Sequence, residues 1–341
     1  MTVASGLPVE AHGGPSKSDA SVLAPKVSVV MSAMNGDPWI DECIESVLAQ
    51  TMQDFEFIII NDGSTDGTWE KIKSYNDPRI RAFTQKNIGI AASANRGLDF
   101  VRAPYMARID QDDVMMPTRL QKQFSFLEAH PDVVLVCTYA QLIYDFDLSD
   151  DYYRAPISST ALRLRLVFEN PVVQPSVLVR TAEVKALGGY DESPQFFSSS
   201  DFELWTKLAQ NHGFGTIPEA LTRYRVRRNS VSHDLRSIDH NVLISANFLY
   251  ALLKDQGSKT ECLSLAQIFH RKAGPVAQLS LRRALGMFDR VAHLIAGSRD
   301  KWDTETKAVY AMQRRMIFFH HILRRQLFVP LIQKVPALRL R

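Results

Sequence analysis

Cysteine is scarce in this chain of 341 residues, and long apolar runs are missing. The three cysteines, Cys43, Cys137 and Cys262, are widely separated and lie in apolar stretches. This spacing excludes a disulfide-rich scaffold and a zinc-binding cysteine pair, and it predicts reduced core residues of a cytoplasmic protein. No apolar run reaches the roughly 18 residues that a membrane-spanning helix needs, so no such helix is predicted.

The usual glycine signatures for binding phosphates are also missing. Neither G-x-G-x-x-G nor G-x-x-x-x-G-K-[ST] occurs, which argues against a nicotinamide or flavin enzyme and against a P-loop NTPase. A nucleotidyltransferase is a further alternative. It is disfavoured because the residues after the first predicted strand, Ser32-Ala33-Met34-Asn35, lack a glycine-rich loop with a basic residue.

Charge is unevenly distributed along the chain. The net charge is +3, yet residues 241–341 contain 17 Lys and Arg against 6 Asp and Glu, so the rest of the chain is acidic. A basic end of this kind predicts contact with something anionic.

The first half of the chain alternates apolar, β-rich runs with amphipathic stretches. Strands are predicted at 26–33, 55–60, 79–84 and 105–109, with helices at about 39–50, from 68, at 91–101 and from 117 to 130. This alternation predicts a doubly wound α/β domain. Its ligand site is expected at the carboxyl ends of the strands.

An acidic cluster, Asp110-Gln111-Asp112-Asp113, directly follows the fourth predicted strand. Carboxylates this close repel one another unless a positive charge lies among them, and a divalent cation held by oxygen ligands is the usual solution. The alternative is a solvated acidic turn before the next helix. The position of the cluster at a strand end favours a ligand site.

Several motifs occur in a characteristic order along residues 26–232. They are Asn61-Asp62-Gly63-Ser64-Thr65-Asp66, Asn87-Ile88-Gly89, Asn95-Arg96-Gly97, the acidic cluster, Gly188-Gly189-Tyr190, and Ser200-Asp201-Phe202-Glu203-Leu204-Trp205. With these motifs the segment resembles the family 2 glycosyltransferases. The resemblance implies a GT-A fold, a Rossmann-like, mostly parallel sheet flanked by helices, here with an α-helical C-terminal extension.

The resemblance also implies a reaction and a set of site residues. Such enzymes transfer a sugar from a nucleotide-diphosphate donor to an acceptor hydroxyl, here of a glycan or a lipid-linked saccharide, with inversion, in cell-surface polysaccharide or glycoconjugate synthesis. Asp201 is implied as the catalytic base, and Asp112 and Asp113 as ligands of Mn²⁺ or Mg²⁺. The residues implied in binding the nucleotide sugar are Ser32, Asn35, Asp62, Asn87, Asn95, Arg96, Asp110, Gln111, Asp112 and Arg227. Which carboxylate contacts ribose and which contacts metal is left open.

Two departures from the family pattern keep an alternative open. The family often has Glu before the base, where this chain has Ser200, and a His where this chain has Arg227. Arginine cannot ligate a metal but can clamp a diphosphate. Asp201 could also simply cap its helix. The alternative is therefore a catalytically degenerate nucleotide-sugar-binding or scaffold protein.

Three regions are predicted: a disordered leader at 1–25, the glycosyltransferase domain at 26–232, and a basic helical region at 233–341. Residues 314–332 alternate arginine pairs with apolar clusters. This pattern is typical of a helix lying at the inner face of a membrane, and equally of a terminal helix packed on the protein. No nucleic-acid partner is expected, and a homo-oligomer is left open.

Overall fold

A computed structural model describes residues 10–13, 24–144, 147–227, 237–270 and 279–325. It divides the chain into two compact units. Residues Met1–Ser159 and Asn170–Asp234 form the first, and Thr160–Glu169 with Leu235–Arg341 form the second. The predicted boundary at 232 lies outside the described residues, and the second unit takes in ten residues that the sequence assigned to the first.

The first unit contains a ten-stranded mixed sheet. Its strands are β1 (Glu10–Gly13), β2 (Val27–Ala33), β3 (Phe55–Asp62), β4 (Ile80–Gln85), β5 (Tyr105–Arg108), β6 (Val114–Met115), β7 (Val133–Tyr144), β8 (Asp147–Tyr153), β9 (Leu178–Arg180) and β10 (Gly213–Val226). Their order is β1-β4-β3-β2-β5-β9-β7-β10-β6, with β8 paired to β7. Strands β4, β3, β2 and β5 are mutually parallel, as are β7 and β10.

The central strands are apolar because both of their faces are covered. Every residue of β3 is buried. Alternate residues of β2, beginning with Val27 and Val29, belong to a core shared with the helices α1 (Ile40–Leu48), α2 (Thr68–Ser74) and α4 (Arg119–Ala129). Val30 points the other way, toward α3 (Ile90–Phe100), where a Cβ added to Gly97 would lie 2.4 Å from Val30 Cγ1. A parallel sheet covered on both faces accounts for the near-continuous apolar runs in the sequence.

The predicted strands and helices of residues 26–130 are confirmed within a few residues. Three differences follow. Residues Glu10–Gly13 of the expected disordered leader form β1, which pairs antiparallel with β4. The apolar stretch 172–179, whose sequence suggests a strand, forms a 3-10 turn (Gln174–Ser176) followed by the short β9. The 14-residue β10 was not predicted as a strand from the sequence.

Strand β9 links the two halves of the sheet, since it pairs antiparallel with both β5 and β7. Arg119, on α4, stabilises this junction through hydrogen bonds. Its guanidinium is fully buried and donates to the backbone oxygens of Arg108, Pro175 and Val177 and to the side chain of Gln123. Burial lowers the pKa of Arg119 to about 9, which is the expected result for a cation held by neutral oxygens.

The second unit is helical, as predicted for the C-terminal region. It contains most of α5 (Ser159–Arg165), with α8 (Ser237–Leu253), α9 (Lys259–Phe269), α10 (Leu281–Ala296) and α11 (Thr304–Arg325). Phe168 lies in its core, stacked on Phe269 at 4.1 Å between ring centroids. Among the described residues, no helix is both long enough and apolar enough to cross a membrane. The first unit also contains α6 (Thr181–Ala186) and α7 (Ser200–Leu208).

Replacing Arg119 by Met should destabilise the protein, because three buried carbonyl oxygens lose their donor. Each unsatisfied group costs about 1–3 kcal/mol, partly offset because no charge is then buried. We expect the free energy of unfolding in urea to fall by about 2–4 kcal/mol. Lys122→Met on the same helix is the control, since the Lys122 side chain is 41% exposed and pairs with the exposed side chain of Glu219. Wild-type stability of Arg119→Met would contradict this account of the junction.

Candidate active site

The acidic cluster is held at the carboxyl end of β5 by the last residues of β10. The backbone N–H of Arg225 donates to Asp113 Oδ1 at 2.7 Å. The Arg225 side chain donates through Nε to the backbone oxygen of Asp112 and through Nη2 to Glu42, each at 2.8 Å. The loop conformation therefore depends on residues more than a hundred positions later in the chain.

Arg227 supplies the nearest positive charge to the cluster. Its Nε lies 2.6 Å from Asp112 Oδ2, and its guanidinium covers the ring of Trp39 at 4.7 Å. The sequence predicted that Arg227 binds the nucleotide sugar. In the structure it forms an ion pair with a carboxylate of the predicted donor site, and its contact with the nucleotide sugar stays a prediction.

Burial is the largest cause of the raised pKa values of Asp110, Asp112 and Asp113. It raises the pKa of Asp112, against the attraction of Arg227. It raises the pKa of Asp113 well above its usual range, and the charges of Asp112 and Asp110 add to the effect. The pKa of Asp110, a third of whose side chain is exposed, rises to about 6 through desolvation and its acidic neighbours, while Arg108 lowers it.

The carboxylate oxygens of the acidic cluster provide only part of a binding site for a hard cation. Within the described ranges, no three or more His, Cys, Asp or Glu side chains form a group that could hold a metal ion. Mg²⁺ commonly binds one or two carboxylates together with substrate phosphates and water. Asp112, whose Oδ2 pairs with Arg227, fits that arrangement. Among the described residues Asp113 Oδ2 is buried and has no hydrogen-bond partner, and the raised pKa of Asp113 favours its neutral form, which is a poorer ligand.

Gln111 connects the cluster to the loop after β2. Its Oε1 accepts from the N–H of Met34 at 2.8 Å, and its Nε2 donates to the Met34 carbonyl at 2.9 Å. The next residue, Asn35, has a positive φ of 52°. Its side chain accepts from the N–H of Thr65, and its own N–H donates to Ser64. Gln111 and Asn35, both predicted to bind donor, thus bind neighbouring loops here.

Asp62, at the end of β3, holds the loop that precedes α3. Its Oδ1 accepts from Ile88 N–H and from Gln85 Nε2, both at 2.9 Å, and its Oδ2 accepts from Gly89 N–H at 3.0 Å. The following Gly63 has a φ of +75°, and a Cβ there would lie 2.7 Å from the backbone nitrogen of Asn87. The motifs at 61–66 and 87–89 are therefore neighbours in space.

The remaining predicted donor-binding residues lie in different settings. Asn95 binds the turn at 190–192: its Oδ1 accepts from Tyr190 N–H, and its Nδ2 donates to the Tyr190 carbonyl and to Glu192, all at 2.8 Å. Asn87 is exposed, with Nδ2 against the Met34 sulfur. Ser32 Oγ is buried and has no hydrogen-bond partner within the part of the chain that the structure describes. Arg96 is half-buried on α3. Their contacts with donor stay predictions.

Asp201 is the second residue of α7, and Asn170 donates to its Oδ2 at 2.8 Å. The N-cap of the helix is Ser199, so Asp201 is not the capping residue. Burial raises the pKa of Asp201, while backbone N–H groups, the Asn170 amide and the Arg108 charge lower it. A raised carboxylate pKa brings the group closer to the range that suits a base at neutral pH.

The structure brings most of the predicted residues to one end of the sheet. Asp62 ends β3, the acidic cluster follows β5, and Arg227 follows β10. Asn95 instead binds the turn at 190–192. The charges of Asp110 and Asp201 affect each other. Three further residues of the site, Asn170, Trp39 and Glu42, were not predicted from the sequence. No local pattern marks them, because each is defined by a partner at least 31 residues away.

Comparison with known proteins identifies the family of this chain. The family model "Glycosyl transferase family 2" matches residues 28–177. An uncharacterized glycosyltransferase of Haemophilus influenzae is 30% identical over 224 residues, covering 61% of this chain and 68% of its own length. The amylovoran biosynthesis glycosyltransferase AmsE of Erwinia amylovora is 26% identical, covering 57% and 73%. The chain belongs to the family 2 glycosyltransferases.

Two solved structures share the fold. Residues 1–349 of TarS from S. aureus, in complex with UDP-GlcNAc, match with a TM-score of 0.58 and 16% identity, covering 87% of this chain and 89% of that one. The mannosyltransferase PcManGT from Pyrobaculum calidifontis, in complex with GDP-Man and Mn²⁺, matches with a TM-score of 0.53 and 14% identity, covering 89% and 87%. The fold is of the GT-A type, with a helical C-terminal region, as predicted.

Proposed function

We propose that this glycosyltransferase moves a sugar, with inversion, from a nucleotide-diphosphate donor to a hydroxyl of a glycan or lipid-linked saccharide. The setting we propose is cell-surface polysaccharide or glycoconjugate synthesis, which the name of AmsE supports. The observation that carries the proposal is the half-buried Asp201 carboxylate, which accepts a hydrogen bond from Asn170 at 2.8 Å and whose charge raises the pKa of Asp110 at the end of β5.

In this proposal Asp201 removes the proton from the acceptor hydroxyl. Inversion requires a base on the face of the sugar opposite the leaving group. Asn170 fixes Oδ2 of Asp201, and the free N-terminal N–H groups of α7 favour a negative charge there. The burial that raises the pKa of Asp201 also strengthens it as a base.

The leaving group is a nucleoside diphosphate, which gains negative charge as the glycosidic bond breaks. Arg227 then leaves Asp112 to bind the diphosphate, a geometry that guanidinium groups suit. Asp112 is the residue that would hold Mn²⁺ or Mg²⁺, and Asp113 would assist or would only position the loop. A bound divalent cation neutralises the charge that develops on the leaving group. The complexes of TarS with UDP-GlcNAc and of PcManGT with GDP-Man and Mn²⁺ support this class of donor and cofactor.

Asp201→Asn tests the base. It keeps the shape of the side chain but not its basicity, so kcat should fall by about 10²–10⁴ while donor binding stays nearly intact. The donor is chosen first by a thermal-shift panel that includes UDP-GlcNAc and GDP-mannose with and without MnCl₂, because a ligand of the native state raises its melting temperature. Turnover is measured as nucleoside diphosphate released.

Asp99→Asn, at an exposed residue of α3, is a control of the same chemistry outside the acidic cluster. A wild type that binds donor without turnover would favour the alternative of a degenerate nucleotide-sugar-binding protein. An Asp201→Asn variant that keeps full turnover would remove Asp201 from the reaction.

Asp112→Asn and Asp113→Asn test the metal ligands. A neutral amide is a poorer ligand for a hard cation. Because Asp113 is already biased toward its neutral form, we expect Asp112→Asn to weaken Mn²⁺-dependent binding of UDP or GDP about tenfold or more, and Asp113→Asn to have the smaller effect. Isothermal titration with and without MnCl₂ measures both. Equal affinities in MnCl₂ and EDTA for all three proteins would contradict metal-assisted binding and would leave Arg227 as the diphosphate ligand.

We also propose that the second unit contacts an anionic membrane surface through the outward face of α11. On that face Phe318 and Phe319 are 41% and 58% exposed, next to the exposed Arg315. The neighbouring Arg314 pairs with Asp289 of α10. The inward face is formed by residues such as Tyr310 and Ile317, which are buried. Adjacent exposed phenylalanines with arginines suit the boundary between lipid headgroups and acyl chains. The predicted residues 326–332 of this helix lie outside the described residues.

Co-sedimentation with vesicles tests this contact. The full chain should bind phosphatidylglycerol vesicles, bind pure phosphatidylcholine weakly, and lose affinity as salt rises. Phe318→Ser with Phe319→Ser should lower the bound fraction about tenfold, since each ring loses its apolar burial. Leu148→Ser, at an exposed apolar residue of the first unit, is the control. Wild-type binding by the double variant would contradict the proposal.

A further inference from the structure

The side chain of Asn170 is held in one orientation by its own neighbours in the chain. Asn170 precedes Pro171, and the ring of a proline disfavours the α-helical region for the residue before it. Asn170 Oδ1 accepts from the backbone N–H of Val172 at 3.2 Å, a local turn that asparagine side chains commonly form. This contact determines the direction in which the Nδ2 amide points.

The Nδ2 amide of Asn170 contacts the proposed base. It donates to Asp201 Oδ2 at 2.8 Å, across 31 positions of sequence. Helix α7 fixes the backbone of Asp201, but the carboxylate can still rotate about its own side-chain bonds. A hydrogen bond to a charged group is stronger than one between neutral groups. The Asn170 amide therefore favours one orientation of the Asp201 carboxylate.

Tyr153 fixes the backbone of Asn170 from the sheet. Asn170 itself lies outside the helices and strands, so no ladder of backbone hydrogen bonds determines its position. The Tyr153 hydroxyl donates to the Asn170 carbonyl oxygen at 2.9 Å. Tyr153 is the last residue of β8 and pairs with Ala140 of β7. Tyr153, Asn170 and Asp201 thus form a continuous series of contacts within the first unit.

The preceding residue, Tyr152, has a different environment. Successive side chains of a strand point to opposite faces of the sheet. Tyr152 is 40% exposed, and the guanidinium carbon of Arg154 lies 5.2 Å from the centre of its ring. Tyr153 is half-buried and bonded to the loop of Asn170. The two adjacent tyrosines therefore provide a test residue and a matched control.

We propose that Tyr153 and Asn170 are positioning residues of the transfer reaction. The Tyr153 hydroxyl holds the loop of Asn170, and the Asn170 amide holds the Asp201 carboxylate in the orientation in which it meets the acceptor hydroxyl. The inference rests on the proposed function, and both residues act through Asp201. A displacement of about 1 Å at a reacting group can lower a rate about 10²-fold, so contacts that fix the base affect turnover.

Kinetics of Tyr153→Phe and Asn170→Ser test the inference in the full chain, with the donor chosen by the thermal-shift panel. Tyr153→Phe removes one hydroxyl and keeps the ring, so kcat should fall about fivefold, the effect of losing one neutral hydrogen bond. Serine at 170 can still form the turn with Val172 but has no amide for Asp201. There kcat should fall about 10–100-fold, as for a hydrogen bond to a charged group. The KM for donor should change less than about threefold in both variants.

A double-mutant cycle separates positioning of the base from general stability. In the Asp201→Asn background, adding Tyr153→Phe or Asn170→Ser should change the residual kcat less than about twofold, because the side chain that they orient no longer acts as a base. A purely structural role would lower kcat by the same factor in both backgrounds, since independent effects are additive in free energy. Tyr152→Phe, the control, should leave kcat at the wild-type value.

Wild-type kcat in Tyr153→Phe or in Asn170→Ser would overturn the inference, and so would equal losses in the two backgrounds. The proposed function would still hold if the wild type were active and Asp201→Asn impaired. If Asn170→Ser does not fold, Tyr153→Phe, which removes a single oxygen, still decides the matter. A wild type that turns over no nucleotide sugar would overturn the proposed function, and the inference with it.

Discussion

The placement of three carboxylates at the end of one short strand is the constraint on which the rest of this site depends. Asp110, Asp112 and Asp113 are tolerable together only because arginines from two directions meet them. Arg108 approaches from within the sheet, while Arg225 and Arg227 approach from the end of β10. Much of the first unit can be understood as the scaffold that brings these charges to one place.

A second feature is that side chains, rather than turns alone, hold the loops of the site. Gln111 binds both backbone groups of Met34, Asp62 binds the amides of residues 88 and 89, and Asn95 binds both backbone groups of Tyr190. Each of these contacts joins segments that are distant in sequence. The loops are preorganised by such contacts, which reduces the ordering that donor binding must impose.

The sequence predicts the parallel half of the sheet well, because buried parallel strands are apolar throughout and end in polar loops. It also predicts which loops carry the site. The sequence does not predict β10. Gly213, Gly215 and Pro218 are atypical of a strand interior, and the strand pairs with β7 through several register shifts. From the sequence, Gln111 and Asn95 are predicted only as ligand-binding residues. In the structure their side-chain amides bind backbone groups 77 and 95 residues away. Such partners are set by tertiary structure and leave no local pattern.

The pairing of Asp113 with Arg225 and of Asp112 with Arg227 has a consequence for the order in which the protein is made. Synthesis proceeds from the N-terminus, and the acidic cluster leaves the ribosome more than a hundred residues before those two arginines. Until then Asp112 and Asp113 lack these two contacts. The nascent domain can therefore collapse around β2, β3 and β5 early, but its acidic loop reaches the native conformation only after β10 has emerged and paired with β7.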